Sequence, residues 1–120
     1  MKTELQTAHD AQMSIMPQSD PKIKGLDVSG CCIPANEVGG DFFDYIWLDK
    51  NKNKFGLFIG DVSGKAMNAA MNAVMACGMI NTEARDAESV KDIMTRVNLS
   101  MYLKTKKQVF TADCCLLRFD

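Results

Sequence analysis

Two short segments carry the chemistry this sequence offers: "VGGDFFDY" at Val38–Tyr45 and "GDVSGKAM" at Gly60–Met67. In each, a glycine precedes an aspartate at the edge of an apolar, strand-like run, so Asp41 and Asp61 stand in similar settings. The runs Asp41–Leu48 and Lys54–Asp61 are β-type in composition, and the polar "DKNKN" between them has hairpin length. A regular hairpin with Leu48 opposite Lys54 puts Asp41 directly opposite Asp61, with Cβ atoms about 5 Å apart. The same face then carries Phe43 against Ile59, Tyr45 against Leu57 and Trp47 against Phe55. Being continuously apolar, it is expected to face the core and to fix the register.

Two carboxylates at that distance repel, and desolvation at a core edge adds to the cost. A shared proton would relieve them. A divalent cation does so better, because it is held by oxygen ligands and backbone carbonyls. Glu37 and Asp44 lie close enough in sequence to add acceptors or supporting contacts. The spacing equally allows Asp41 to be a loop residue and Asp61 a helix cap, each satisfied by backbone N–H groups. The symmetry of the hairpin favours the cation.

Other chemistries fit less well. "GDVSGKAM" is not a Walker phosphate loop, because only three residues separate Gly60 from Gly64 and Ala66 follows Lys65. It still forms a glycine turn into a helix N-terminus, where free N–H groups favour an anion, with Ser63, Gly64 and Lys65 alongside. The sole histidine, His9, lies far from the carboxylates in sequence, which leaves a nucleophilic triad without a base. The five cysteines fall as Cys31-Cys32, Cys77 and Cys114-Cys115. Neighbours in a strand point to opposite faces, so neither pair chelates zinc, and all five are expected to be reduced thiols serving as small core residues.

The elements that must position these groups follow from periodicity and breakers. Thr3–Met16 reads as a helix with Leu5, Ala8, Gln12, Ile15 and Met16 on one stripe, ended by Pro17. So narrow a stripe suits packing on a partner copy or an upstream domain, with packing into the chain's own core as the alternative. Leu26–Ile33 reads as a strand and Pro34–Gly40 as a loop. Lys65–Ala84 reads as a helix with Ala66, Ala69, Ala70, Ala73, Val74, Cys77 and Ile80 inward, capped by Asp61 or Ser63. Glu88–Leu103 reads as a helix with Val90, Ile93, Met94, Val97, Met101 and Tyr102 inward, capped by Asp86 or Ser89. Val109–Phe119 reads as a closing strand.

At 120 residues the chain makes one domain, and 47% hydrophobic with 24% charged residues is ordinary for a globular protein. A net charge of −1 with no basic face gives no footprint for nucleic acid or an anionic membrane. No apolar run nears the roughly 18 residues of a membrane span, and "MKTELQTAHD" lacks a signal-peptide core. A cytoplasmic location is the expectation.

"PANEVGGDFFDY", "GLFIGDVSGKAMNAAM", "VNLSMYL" and "VFTADCCLLRFD" together resemble the SpoIIE/RsbU-like branch of the PPM (PP2C-type) metal-dependent protein serine/threonine phosphatases. The leading "AHDAQMSIMPQ" is similar to the linker helix before the catalytic domain in those proteins, so residues 1–17 would be linker and 18–120 a partial phosphatase domain. The resemblance implies an α+β fold, the PP2C-like α-β-β-α sandwich with antiparallel sheets, of which this chain supplies the first part. It also implies that Asp41 and Asp61 are catalytic metal ligands, Asp61 bridging two Mn²⁺ or Mg²⁺ ions, with the Val62 carbonyl as a further ligand. The ions would activate a water for in-line attack on a phosphoserine or phosphothreonine ester.

In this family the substrate is commonly an STAS-type antagonist of an anti-sigma factor, and an upstream sensor, membrane-tethered in some members, supplies the signal. Two departures stand out. Ala66, Met67 and Asn68 replace the family's glycine, variable residue and proline after "SGK". The family's remaining ligand aspartates lie beyond the strand matched by Val109–Phe119. The chain on its own is therefore expected to be inactive, to bind metal weakly and to self-associate through an unpaired strand edge. A non-catalytic binding module built on the same fold is the alternative, and a structural adaptor in which the aspartates merely cap is a third.

Overall fold

The computed structural model describes residues 1–105 and 110–119; Val109 and Asp120, which the sequence reading includes in its last segment, lie outside them. Chain order is α1 (Glu4–Ser14), β1 (Asp41–Trp47), β2 (Lys54–Val62), α2 (Ala66–Ala84), α3 (Val90–Thr105) and β3 (Phe110–Arg118). The strands form one antiparallel sheet in the order β1-β2-β3, giving the α+β class. Both helices α2 and α3 lie on one face, with α2 against β1 and β2 and α3 against α2 and β3.

The hairpin register follows from its connection. Asp49 Oδ1 accepts from the N–H groups of Asn53 (2.9 Å) and Lys54 (3.0 Å), and the Leu48 N–H donates to the Lys54 carbonyl at 2.9 Å. This side-chain turn fixes Leu48 opposite Lys54 and carries the pairing through Trp47↔Phe55 to Asp41↔Asp61. On the far side β2 pairs with β3, from Lys54↔Arg118 to Val62↔Phe110.

The face covered by the helices is the opposite of the one expected. The core is built from Phe42, Ile46, Leu48, Phe58 and Val62 of the hairpin, packed on alanines of α2 and on Ile93, Val97 and Met101 of α3. Phe43, Tyr45, Trp47, Leu57 and Ile59 lie on the other face, where Ile59 is 60% exposed. Both faces of this hairpin are apolar, so alternation alone cannot say which one the helices choose. Alanine decides it: Ala69, Ala73 and Ala76 let α2 lie close to the sheet, where Phe42 and Phe58 fill the space. The outward face keeps an aromatic ladder, with Trp47 and Phe55 centroids 5.0 Å apart and Phe43 and Tyr45 5.5 Å apart.

Other expectations are corrected for similar reasons. Leu26–Ile33 is not a strand; only an Ile23↔Leu26 bridge forms there. The segment lies over the outward face of β1, with Gly30 against the Tyr45 hydroxyl and the Phe43 ring, instead of beside a sheet edge where it could pair. Helix α2 is capped by Lys65 without a side-chain hydrogen bond, not by Asp61 or Ser63, because β2 runs on through Val62. Ser89 does cap α3, its Oγ accepting from the Asp92 N–H at 3.1 Å. Val74 of α2 and Tyr102 of α3 are exposed, while Ala76 and Ala84 of α2 are buried. Of the cysteines, Cys77 is a core residue, but Cys31 and Cys115 are exposed. Among the described residues no helix is long and apolar enough to cross a membrane.

Candidate metal centre

Asp41 opens β1 and Asp61 stands next to last in β2, so the two carboxylates share the outward face at the end of the hairpin away from its turn. Bonds at Leu48–Lys54 and at Val62–Gly40 (3.0 Å) frame the ladder. Alternation between them makes Asp41–Asp61 a non-hydrogen-bonded pair, the type in which side chains approach most closely. Burial, together with a hydrogen bond and charge repulsion from Asp61, raises the Asp41 pKa above its ordinary 3.8. Asp41 therefore resists ionisation next to its partner, which is the condition a bound cation relieves.

A glycine precedes each aspartate for a steric reason. A Cβ at Gly40 would lie 2.2 Å from the Val62 carbonyl oxygen and 3.1 Å from the Ala69 Cβ. One at Gly60 would lie 2.3 Å from the ring of Phe42, its cross-strand partner. Both glycines bring the two strands and α2 together beneath the carboxylates. The "GGD" and "GD" of the sequence are packing requirements as well as turn signals.

The remaining residues singled out from sequence separate into two groups. Val62 is buried, its N–H donating to Gly40 and its carbonyl facing the Gly40 Cα. Ser63, Gly64 and Lys65 form the exposed turn into α2, with Gly64 in the left-handed region at φ 118°. Asp44, by contrast, is turned to the helix side of the sheet. It accepts from Asn81 Nδ2 at 2.7 Å and from its neighbour Tyr45's N–H at 2.8 Å, so it ties α2 to β1 instead of joining the pair. Its charge, after burial, pushes the Cys77 thiol up to about 11. Glu37 is exposed, and its backbone carbonyl contacts His9 Nδ1.

Two cavities meet at the carboxylates. One, about 730 Å³, lies over the outward face between residues 29–33 and the three strands. The other, about 300 Å³, lies beneath the loop before β1 and also reaches Gln12. The register adds residues that the sequence reading did not single out. Thr111 stands opposite Asp61, and Asp113 is one step along the same face beside Ile59. Continuing the period-2 alternation from β2 into "FTADCC" would have found them. Cys32 also borders the site, its Sγ 3.7 Å from the Asp41 carbonyl, and burial followed by the Asp41 charge raises its pKa. The Tyr45 hydroxyl is shielded and lacks an aligned partner; burial and then the nearby Asp20 charge raise its pKa.

The donor set suits a hard divalent cation in part. Two carboxylates converge, and among the described residues no group of three or more His, Cys, Asp or Glu side chains is placed to hold a metal ion. A family model for stage II sporulation protein E (SpoIIE) matches residues 51–120, more than half of the chain. The chain belongs to the SpoIIE family. The matched region takes in Asp61, the turn, both long helices and β3; Asp41 lies before it and enters through the register. The chain is also 28% identical over 71 residues to the phosphoserine phosphatase RsbU of Bacillus subtilis (strain 168). That match covers 59% of this chain and 20% of the relative, so the chain spans about a fifth of RsbU's length.

The raised Asp41 pKa sets a pH dependence for the metal-free protein. A carboxyl whose folded pKa exceeds its unfolded value stabilises the fold fully at pH below the unfolded value, and this is lost as pH rises through the folded one. Asp41→Asn removes the loss. It is expected to melt higher than wild type at pH 7 in EDTA, with the gap closing below pH 4, as followed by circular dichroism.

Proposed function

We propose that this chain is the metal-holding first part of a protein phosphatase that hydrolyses phosphoserine or phosphothreonine on a regulatory protein. The observation that carries the reading is the Asp41–Asp61 pair, facing across a hairpin whose second strand lies within the SpoIIE match. Asp41 and Asp61 would hold Mn²⁺ or Mg²⁺, two ions in a complete domain, with the Val62 carbonyl on the same edge. Such ions supply charge neutralisation at the phosphoryl group and lower the pKa of an attacking water.

The chain's own residues do the remaining work. One of the opposed carboxylates would orient that water and take up the proton it releases. Ser63, Gly64 and Lys65, at the N-terminus of α2, would steer the phosphate through backbone N–H groups and the lysine ammonium. No histidine base is needed. The proposed substrate is a phosphorylated STAS-type antagonist of an anti-sigma factor, in the cytoplasm, with α1 as the link from an upstream sensor. Convergence of only two carboxylates among the described residues supports a second statement: these 120 residues alone turn over substrate poorly, if at all.

The test uses the intact protein. Release of phosphate from p-nitrophenyl phosphate and from a phosphoserine STAS domain should depend on millimolar Mn²⁺ or Mg²⁺ and stop with EDTA. Equal turnover with and without metal, or none with either substrate, would overturn the reading.

A further inference from the structure

Gln12 is the one buried polar side chain among the described residues, at 5% exposure, and it sits on α1. Its position within the protein explains that burial. The Gln12 amide donates to the Gly39 carbonyl, and Gln12 Oε1 accepts from the Gly39 N–H at 3.2 Å. One side chain thus satisfies both backbone groups of a single loop residue, as a strand partner would. His9, a turn earlier, reaches the Glu37 carbonyl of the same loop. Helix α1 is itself fixed to the body by Met16 in the core and Met13 at its edge.

From Gly39 to Asp41 there is one residue, and it has no freedom. The Gly40 carbonyl accepts from the Val62 N–H, and its Cα is pressed against the Val62 carbonyl. Gln12 lines the same cavity as Asp41 and Asp61. A displacement at Gly39 therefore passes to Asp41 through two rigid peptide units. We propose that Gln12 is a positioning residue for the carboxylate pair: by clamping Gly39 it fixes where Asp41 stands opposite Asp61, and so sets the pair's affinity for a divalent cation. The affinity half of this statement rests on the metal-dependent reading above; the clamp does not.

The test compares wild type with Gln12→Met, which keeps the side chain's length and apolar packing but loses both hydrogen bonds. Gln12→Glu keeps an acceptor for the Gly39 N–H and loses the donor. Amide hydrogen exchange is read at Gly39, Phe42 and Val62, whose N–H groups are hydrogen-bonded, with Leu48 at the far end of the hairpin as internal reference. Mn²⁺ affinity is read separately by electron paramagnetic resonance.

Gln12→Met should speed exchange at the three near amides by about tenfold and weaken Mn²⁺ binding by about fivefold or more, leaving Leu48 unchanged. Gln12→Glu should keep the Gly39 amide protected while Phe42 and Val62 loosen; if Gln12→Met fails to fold, this variant alone decides. Unchanged exchange near Asp41, or a rise that includes Leu48 equally, would overturn the clamp. Local loosening in a protein whose wild type binds no Mn²⁺ would support the clamp and sink the metal reading instead.

Discussion

Asp61→Asn should abolish metal-dependent phosphatase activity in the intact protein, lowering turnover by more than about a hundredfold, while leaving its melting temperature unchanged or higher in EDTA. Losing a partner behind a metal ligand typically costs about 10–100-fold, so losing a ligand carboxylate should cost more. Asparagine keeps the shape of the side chain but removes one of the two charges that face each other at the end of the hairpin. Because Asp61 is exposed and caps no helix, the fold does not depend on its charge. Removing it also relieves the repulsion that keeps Asp41 from ionising. The pairing of the two readouts is what discriminates. A structural aspartate would lose stability along with activity, whereas a ligand aspartate should lose activity alone. Phosphate release in Mn²⁺ and thermal melting in EDTA settle it, and unchanged turnover would remove Asp61 from the metal centre.

The Asp41–Asp61 pairing was legible in the sequence because a five-residue polar connection leaves few registers, and the apolar runs on either side have matching lengths. The buried face was not legible. Phe43, Tyr45 and Trp47 look as core-like as Phe42, Ile46 and Leu48, and what separates them is the alanine surface of α2, a tertiary fact. The same blindness misplaced Asp44. Asp44 is only three residues from Asp41, yet an odd step along a strand sends a side chain to the opposite face. There it meets Asn81 of α2. Leu26–Ile33 shows the limit of composition. Its residues suit a strand, but a strand needs an edge to pair with, and this segment crosses the face of β1 instead. Gln12 appeared within an apolar stripe and carried no sign that its partner would be the backbone of Gly39, 27 residues away.

Gly60→Ala is expected to be among the most damaging single-methyl additions in the protein, although it lies in a motif that reads as a functional turn. The added carbon would sit 2.3 Å from two atoms of the Phe42 ring and 3.0 Å from a third. That ring is 2% exposed and belongs to the core, so it cannot swing into open space. Overpacking typically costs about 1–3 kcal/mol, and outright loss of a buried phenylalanine about 3–5 kcal/mol. A loss of about 2–4 kcal/mol is expected, enough to lower the melting temperature by about 10 °C or more in a chain of this size. Three further variants show that the clash is the cause. Phe42→Ala combined with Gly60→Ala should cost little more than Phe42→Ala alone, because the second methyl then enters the space that the ring has left. Gly78→Ala, on the exposed side of α2 with nothing within 4 Å of the new carbon, should raise stability by about 0.5–1 kcal/mol. Thermal melts of wild type and the four variants check the set. If Gly60→Ala melts like wild type, the Phe42 ring is not seated over Gly60, and the packing that brings β1 and β2 together beneath Asp41 and Asp61 is wrong.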